Sequence, residues 1–292
     1  MHNLFFFISS VIALAYPPQL PLTMQPTYEP TDVFRVMSYN IRYDNPGDSV
    51  HAWPHRKERV VNLIRYHQAD LLGLQEVLEH QLDYLDSALE DYAQVGVGRD
   101  DGKSAGEFSP IFYREDKFEL LEWGTFWLSE TPDVPSKSWD AALPRIATWT
   151  QLKHIKTQDT LYCFNTHFDH RGTLAREKSA QLIRDKIEEI AGSYPTVVTG
   201  DFNANPTSAP YRAMLAEQGL NDALEESQLP HQGALSSFSG FVVAHGLQPE
   251  RRIDYIFVSP TIQVFRHAIL TDHQEGAYPS DHLPVIASVS LP

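Results

Sequence analysis

Apolar and polar positions along this chain switch repeatedly between the two-residue period of strands and the 3.6-residue period of helices. An apolar run from Val33 to Asn40 predicts a first strand. Pro54 to His67 carries Val60, Val61, Leu63 and Ile64 among charges, the spacing of an amphipathic helix entered by a proline. Leu71 to Gln75 reads as a short buried strand, and residues 79–89 return to helical spacing through Leu82, Leu85 and Leu89. Strand-like runs follow at 109–113, 125–128, 146–155 and 160–168. A helix is predicted over Thr173–Ala191, with Gly192 placed to end it. The run Thr196–Thr199 predicts a buried strand, Ala209–Gln218 a helix, and Arg252–Ser259 and Leu283–Leu291 two closing strands. Helices interleave with strands, yet the middle holds several strands in succession. That pattern predicts an α/β protein of mixed sheets with helices packed outside.

Composition narrows this picture. The chain has 292 residues, enough for one large domain or two small ones, and its 42% hydrophobic content predicts a sizeable core. No internal repeat and no linker occur after residue 32, so residues 33–292 are expected to form a single catalytic domain. Residues 4–15 are apolar but too short to span a bilayer, and end in Ala13-Leu14-Ala15. Residues 1–15 are therefore expected to be a signal peptide and the proline-rich residues 16–32 a linker, with the mature protein secreted or periplasmic and monomeric. No stable membrane span is expected elsewhere. The single cysteine, Cys163, permits no internal disulfide and no cysteine-rich zinc site. A net charge of −15 argues against a surface built to neutralise many phosphates, without excluding a metal-assisted nuclease.

The candidate chemistry lies at the strand ends. Asn40 ends the first strand, Glu76 follows the second, and His167 ends the 160–168 strand. Gly200-Asp201-Phe202-Asn203 closes the run before it, placing a carboxylate and a carboxamide two residues apart. Asp254 sits within Arg252-Ile253-Asp254-Tyr255-Ile256, and Asp281-His282 opens the last strand. Each group alone also suits a cap, a turn or a satisfied core position. Together, polar groups embedded in apolar strands must be paired or bind something, and ligand sites of α/β sheets gather beyond strand ends. Hard oxygen ligands such as Glu76, Asp201 and Asp281 favour Mg²⁺, Mn²⁺ or Ca²⁺. A histidine backed by a carboxylate can move protons or donate to phosphate. This chemistry suits hydrolysis of a phosphoester.

The ordered motifs Ser38-Tyr39-Asn40, Leu74-Gln75-Glu76, Gly200-Asp201-Phe202-Asn203 and Ser280-Asp281-His282 resemble those of the endonuclease/exonuclease/phosphatase superfamily over about residues 33–290. The resemblance implies a four-layer α/β/β/α sandwich of two packed mixed sheets flanked by helices, a divalent metal and phosphoester hydrolysis. Finer details resemble the pancreatic-type deoxyribonucleases, which implies the pairs His167 with Glu107 and His282 with Asp254 as catalytic groups, and Arg145 as a phosphate contact. Metal ligation is expected from Glu76, with Asn40 and Asp281 nearby as ligands, ligand supports or phosphate donors, and His170 beside the substrate phosphate. Asp201 and Asn203 are expected to orient the attacking water, with one histidine as base and the other as acid or phosphate donor. Arg42 stands two residues after Asn40, where abasic-site nucleases and tyrosyl-DNA phosphodiesterases carry an aspartate, and is expected beside the substrate phosphate. Asp169, His170 and Arg171 are expected to line the pocket, and the aromatic segment 124–140 to wall it. The expected substrate is a small-molecule or lipid-head-group phosphoester. A nucleic acid is the alternative, and a silent binding protein on the same scaffold the minor one.

Overall fold

The computed structural model describes residues 32–215, 219–243 and 248–292. The expected signal peptide, residues 16–31 of the expected linker, and positions 216–218 of the Ala209–Gln218 helix lie outside them. In chain order the elements are β1 (Phe34–Asn40), α1 (Trp53–His67), β2 (Leu71–Gln75), α2 (Glu79–Ala88), β3 (Tyr92–Val95), β4 (Ile111–Arg114), β5 (Phe118–Trp127), β6 (Ile146–His154) and β7 (Thr160–His167). They continue with α3 (Thr173–Ile190), β8 (Thr196–Asp201), α4 (Ala209–Leu215), β9 (Asn221–Asp222), β10 (Gln232–Gly233), β11 (Asp254–Val258), β12 (Gln263–Ile269) and β13 (Val285–Ser290).

Two mixed sheets result, ordered β10-β12-β13-β1-β2-β4-β3 and β5-β6-β7-β8-β11-β9. Strand alternation divides their side chains between three apolar layers. Val36, Leu71, Leu161, Cys163, Val197 and Ile256 meet between the sheets. Met37, Tyr39, Leu72 and Leu74 turn outward onto Val60, Ile64, Leu82 and Leu85 of α1 and α2. Tyr162, Phe164, Val198 and Phe257 turn outward onto Ala180, Ile183, Tyr211 and Met214 of α3 and α4. The expected four-layer α/β/β/α sandwich is the observed fold.

Each sheet is built around a parallel pair joined by a helix: β1–α1–β2 in one and β7–α3–β8 in the other. This arrangement positions the site, because the carboxyl ends of all four central strands emerge on one side. The register puts Asn40 beside Gln75 and His167 beside Asp201. The antiparallel β11 begins there, with Asp254 paired to Asp201.

A polar bolt crosses the otherwise apolar middle layer near this end. Asn165 donates to the carbonyls of Leu74 (2.7 Å) and Pro110 (2.9 Å), and accepts from Gln75 (2.7 Å) and Thr199 (3.0 Å). Gly73 makes this closeness possible, since a Cβ there would collide with the Thr199 hydroxyl and the Asn165 side-chain oxygen.

Some elements differ from the pattern reading. β12 is absent from it because a bulge between Val264 and Arg266 breaks the two-residue alternation. β5 extends back to Phe118, where the irregularity between Leu120 and Glu122 sets apolar Leu120 and Leu121 side by side and breaks the two-residue alternation. β4 starts at Ile111 rather than Ser109, because Pro110 has no N–H to give a ladder.

Candidate active site

Asp201 is the centre of the polar cluster. Its Oδ2 accepts from Asn40 Nδ2 at 3.0 Å and lies 3.4 Å from His167 Nε2 and 3.7 Å from His282 Nε2. Its Oδ1 accepts from the Asn203 backbone N–H at 2.9 Å. Burial, followed by the charge of Asp254, pushes the Asp201 carboxyl up to about 7 against the opposing pull of His282 and these hydrogen bonds.

Asn40 Nδ2 also donates to Glu76 Oε1 at 3.0 Å, while the Tyr43 N–H donates to Glu76 Oε2 at 3.1 Å. Glu76 and Asn203 both adopt left-handed backbone conformations, with φ of 60° and 46°. Asparagine tolerates that region, but glutamate there is strained, as residues held for function often are. Each turns its side chain back toward the centre immediately beyond a strand.

The two histidines differ in how they are held. His282 Nδ1 lies 2.8 Å from Asp254 Oδ2, which fixes the ring and leaves Nε2 facing the cluster. Burial lowers its proton affinity, yet Asp254 and Asp201 outweigh that and raise it well above the ordinary value. Phe238 covers the other side of the ring, with centroids 5.0 Å apart. The expected partner of His167 is a different case. Glu107 Oε2 is 3.8 Å from His167 Nδ1, too far for a hydrogen bond, because Glu107 accepts instead from Arg99 at 2.6 Å. His167 Nε2 meets the Asn203 amide at 3.1 Å, and that same amide donates to the Phe168 carbonyl at 3.1 Å. The amide nitrogen is therefore a donor to Nε2, and the ring proton sits on Nδ1. Burial, then Arg145 and Arg99, hold this imidazole neutral far below its ordinary pKa.

Arg145 is buried. Its Nη2 lies 3.2 Å from Nδ1 of the exposed His170, while Nε and Nη1 have no hydrogen-bond partner. The other expected pocket residues are placed differently. Arg42 is drawn into a two-pronged pair with Asp48 (2.9 and 3.0 Å), and its Nη1 lies 3.8 Å from Glu76 and 3.9 Å from Asp281. It faces carboxylates, not an anion site. Asp169 is 1% exposed and does not line a pocket: it accepts from the backbone N–H groups of Ala142, Leu143, Arg171 and Gly172. Burial opposes its ionisation, but those four bonds prevail and hold its carboxyl at about 2. Asp169 thereby ties the loop before Arg145 to the loop carrying His170. In the aromatic segment, Trp127 is buried and spends its indole N–H on the Arg99 carbonyl at 2.7 Å. Arg99 itself carries no periodic or motif signal, and only the nearby Glu107 hints at it.

The donor set suits a divalent cation. Among the described residues, Glu76, Asp201 and His282 offer ligand atoms within 4.8 Å of one another. Asp281, expected as a ligand, is not in that group and sits toward Arg42. Asn40 presents its amide nitrogen, because its oxygen already accepts from the Arg42 N–H at 3.0 Å. Asp201 and Asp281 are both pushed toward protonation, chiefly by burial and then with neighbouring carboxylates adding to it, a conflict that a cation would relieve.

A sequence profile described as the Endonuclease/Exonuclease/phosphatase family matches residues 37–282. The chain is 43% identical to an endonuclease/exonuclease/phosphatase from Bacteroides vulgatus whose crystal structure superposes with a TM-score of 0.85, over 89% of this chain and 99% of that one. It is 42% identical to a mannosyl-6-phosphatase from Bacteroides thetaiotaomicron, with a TM-score of 0.83 over 88% of this chain and 100% of the other. It is also 22% identical, over 81% of its length, to the CCR4-Not complex 3'-5'-exoribonuclease subunit Ccr4 of Saccharomyces cerevisiae. The chain spans 35% of that subunit's length, and less than half of the length of the first curated relatives it matches.

Proposed function

The chain belongs to the endonuclease/exonuclease/phosphatase family and is a metal-dependent phosphoesterase, and on that premise we propose that it hydrolyses a small phosphorylated molecule of the sugar-phosphate type. The observation that carries this reading is Asp201, held between the Nε2 atoms of two histidines at 3.4 and 3.7 Å. Glu76 and Asp201 would hold the cation, which when bound supplies Lewis-acid stabilisation of charge on the phosphoryl group. Asp201 orients the attacking water toward His282. With Nδ1 committed to Asp254, His282 has one nitrogen for chemistry. In the fraction of enzyme whose ring is neutral, Nε2 takes the water's proton, the raised proton affinity making it a strong base there. On the opposite side, His167 Nδ1–H and the open donors of Arg145 bind phosphoryl oxygens. The chain's net charge of −15 disfavours a long polyanion, and the 42% identity to a mannosyl-6-phosphatase of matching length supports a small substrate.

A panel of hexose phosphates, inositol phosphates, phospholipids and oligoadenylate, assayed with Mg²⁺, Mn²⁺ or EDTA, tests the substrate. Phosphate release from a hexose phosphate that stops with EDTA is the expected result. Degradation of oligoadenylate with no action on small phosphates would overturn it in favour of a nuclease. Export through the N-terminal apolar run belongs to the same proposal. Amino-terminal sequencing of protein from the extracellular or periplasmic fraction should begin close to Tyr16, and intact Met1 there would refute export by cleavage.

A further inference from the structure

Beside the Asp201 cluster, a second set of buried donors converges without being satisfied inside the protein. Arg99 Nε, Arg145 Nε and Nη1, and His167 Nδ1 all lack hydrogen-bond partners, although the three residues are only 8%, 5% and 6% exposed. Two of them face one oxygen that Arg99 also holds: Glu107 Oε2 is 2.6 Å from Arg99 Nη1, 3.8 Å from His167 Nδ1 and 3.9 Å from Arg145 Nη1, while Arg99 Nε lies 3.8 Å from Asp100 Oδ1. Only the first of these is a hydrogen bond. Asp169 is 3.8 Å from Arg145 Nε but cannot complete it, because four backbone N–H groups already occupy its oxygens, and the exposed Asp100 stands off Arg99 Nε at 3.8 Å, beyond hydrogen-bond reach. Leaving charged donors buried and unfilled is costly, so the arrangement is built for an anion from outside. Arg99 is fixed for that task. Trp127 holds its carbonyl, its N–H donates to the Glu107 carbonyl at 3.1 Å, and the Glu107 carboxylate orients its guanidinium.

We propose that Arg99 determines specificity: with Arg145 it grips the non-bridging oxygens of a terminal phosphoryl group, so that the site selects phosphomonoesters over phosphodiesters. A monoester presents three such oxygens and up to two charges, enough to engage both guanidiniums and His167. A diester presents two oxygens and one charge, and its second ester group would meet Arg99 without satisfying it. The inference rests on the phosphoesterase reading and narrows its substrate class.

The test compares p-nitrophenyl phosphate with bis(p-nitrophenyl) phosphate for the full chain and for Arg99→Gln and Arg99→Lys. Arg99→Gln should reduce kcat/KM for the monoester about 100-fold and for the diester less than about 3-fold, with Arg99→Lys between wild type and Arg99→Gln because it keeps the charge but not the fork. Calorimetric titration with inorganic phosphate in EDTA should show weaker binding by Arg99→Gln in the same proportion. Equal losses on both substrates, or an unchanged monoester-to-diester ratio, would overturn the inference. If Arg99→Gln does not fold, the ratio for Arg99→Lys decides in the same way. Wild-type protein inert toward every phosphoester would instead refute the proposed function, while the phosphate titration would still judge Arg99.

Discussion

Replacing Asp201 by asparagine is expected to lower kcat by about 10³- to 10⁴-fold, the scale of losing a central acid–base or water-orienting group. The side chain keeps its shape, so the Asn203 N–H still finds an acceptor, but one carboxylate oxygen becomes an amide facing Asn40 Nδ2 and both histidines. The same change has a stability signature opposite to its catalytic one. In chelator the folded carboxyl titrates at about 7, against an ordinary value of 3.8, because burial and then Asp254 disfavour its charge. Between these values the folded state binds more protons than the unfolded state, so stability falls as pH rises through that window and the loss is complete above it. Asparagine cannot titrate. The variant should gain on wild type between pH 4 and pH 8, by an amount reduced by the mismatched amide contact. Urea unfolding at both pH values in EDTA measures the gain, and Mg²⁺ should raise the Tm of wild type more than that of the variant. A variant with more than a tenth of wild-type activity would refute the catalytic role. A stability difference independent of pH would refute the electrostatic one.

The sequence made the positions of this centre visible because its members sit on strands whose apolar runs are easy to see. Asn40, Glu76, His167 and Asp201 are polar residues at the ends of buried segments, and such placement needs explanation from sequence alone. Partnership was harder to read. Spacing could not indicate that Glu107 turns to Arg99, on its own β3–β4 connection, rather than to His167 at the end of β7, because the choice is made by side-chain reach. Arg42 illustrates the same limit: its neighbour in sequence is Asn40, but its guanidinium goes to Asp48. Asp169 reads from sequence as pocket lining beside His167, and only the folded backbone shows it collecting four N–H groups from two loops. Strands with weak apolar contrast, such as β3 and the bulged β12, escaped for a related reason: their pairing is set by neighbours distant in sequence.

Asp254→Asn should be nearly as damaging as removing His282, although Asp254 need not touch the substrate. With aspartate in place, His282 Nδ1 is the donor of the 2.8 Å bond and Nε2 is the nitrogen left to accept a proton from water. An asparagine there can present its NH₂ to Nδ1, which favours the other tautomer and puts the proton on Nε2, where the lone pair is needed. The expected loss in kcat is about 10³-fold for Asp254→Asn and about 10³- to 10⁴-fold for His282→Ala, with the double variant no worse than His282→Ala because the two residues act as one unit. KM should change far less than kcat in each, since the phosphate-gripping donors of Arg145 and His167 are untouched. Folding should survive, because Asp254 Oδ1 is buried without a partner and the substitution removes charge from that environment. Steady-state kinetics alongside thermal melts separates these effects. Asp254→Asn retaining more than a tenth of wild-type kcat, or losses that multiply in the double variant, would mean that His282 does not draw its reactivity from Asp254 and that the proton leaves the water by way of another group.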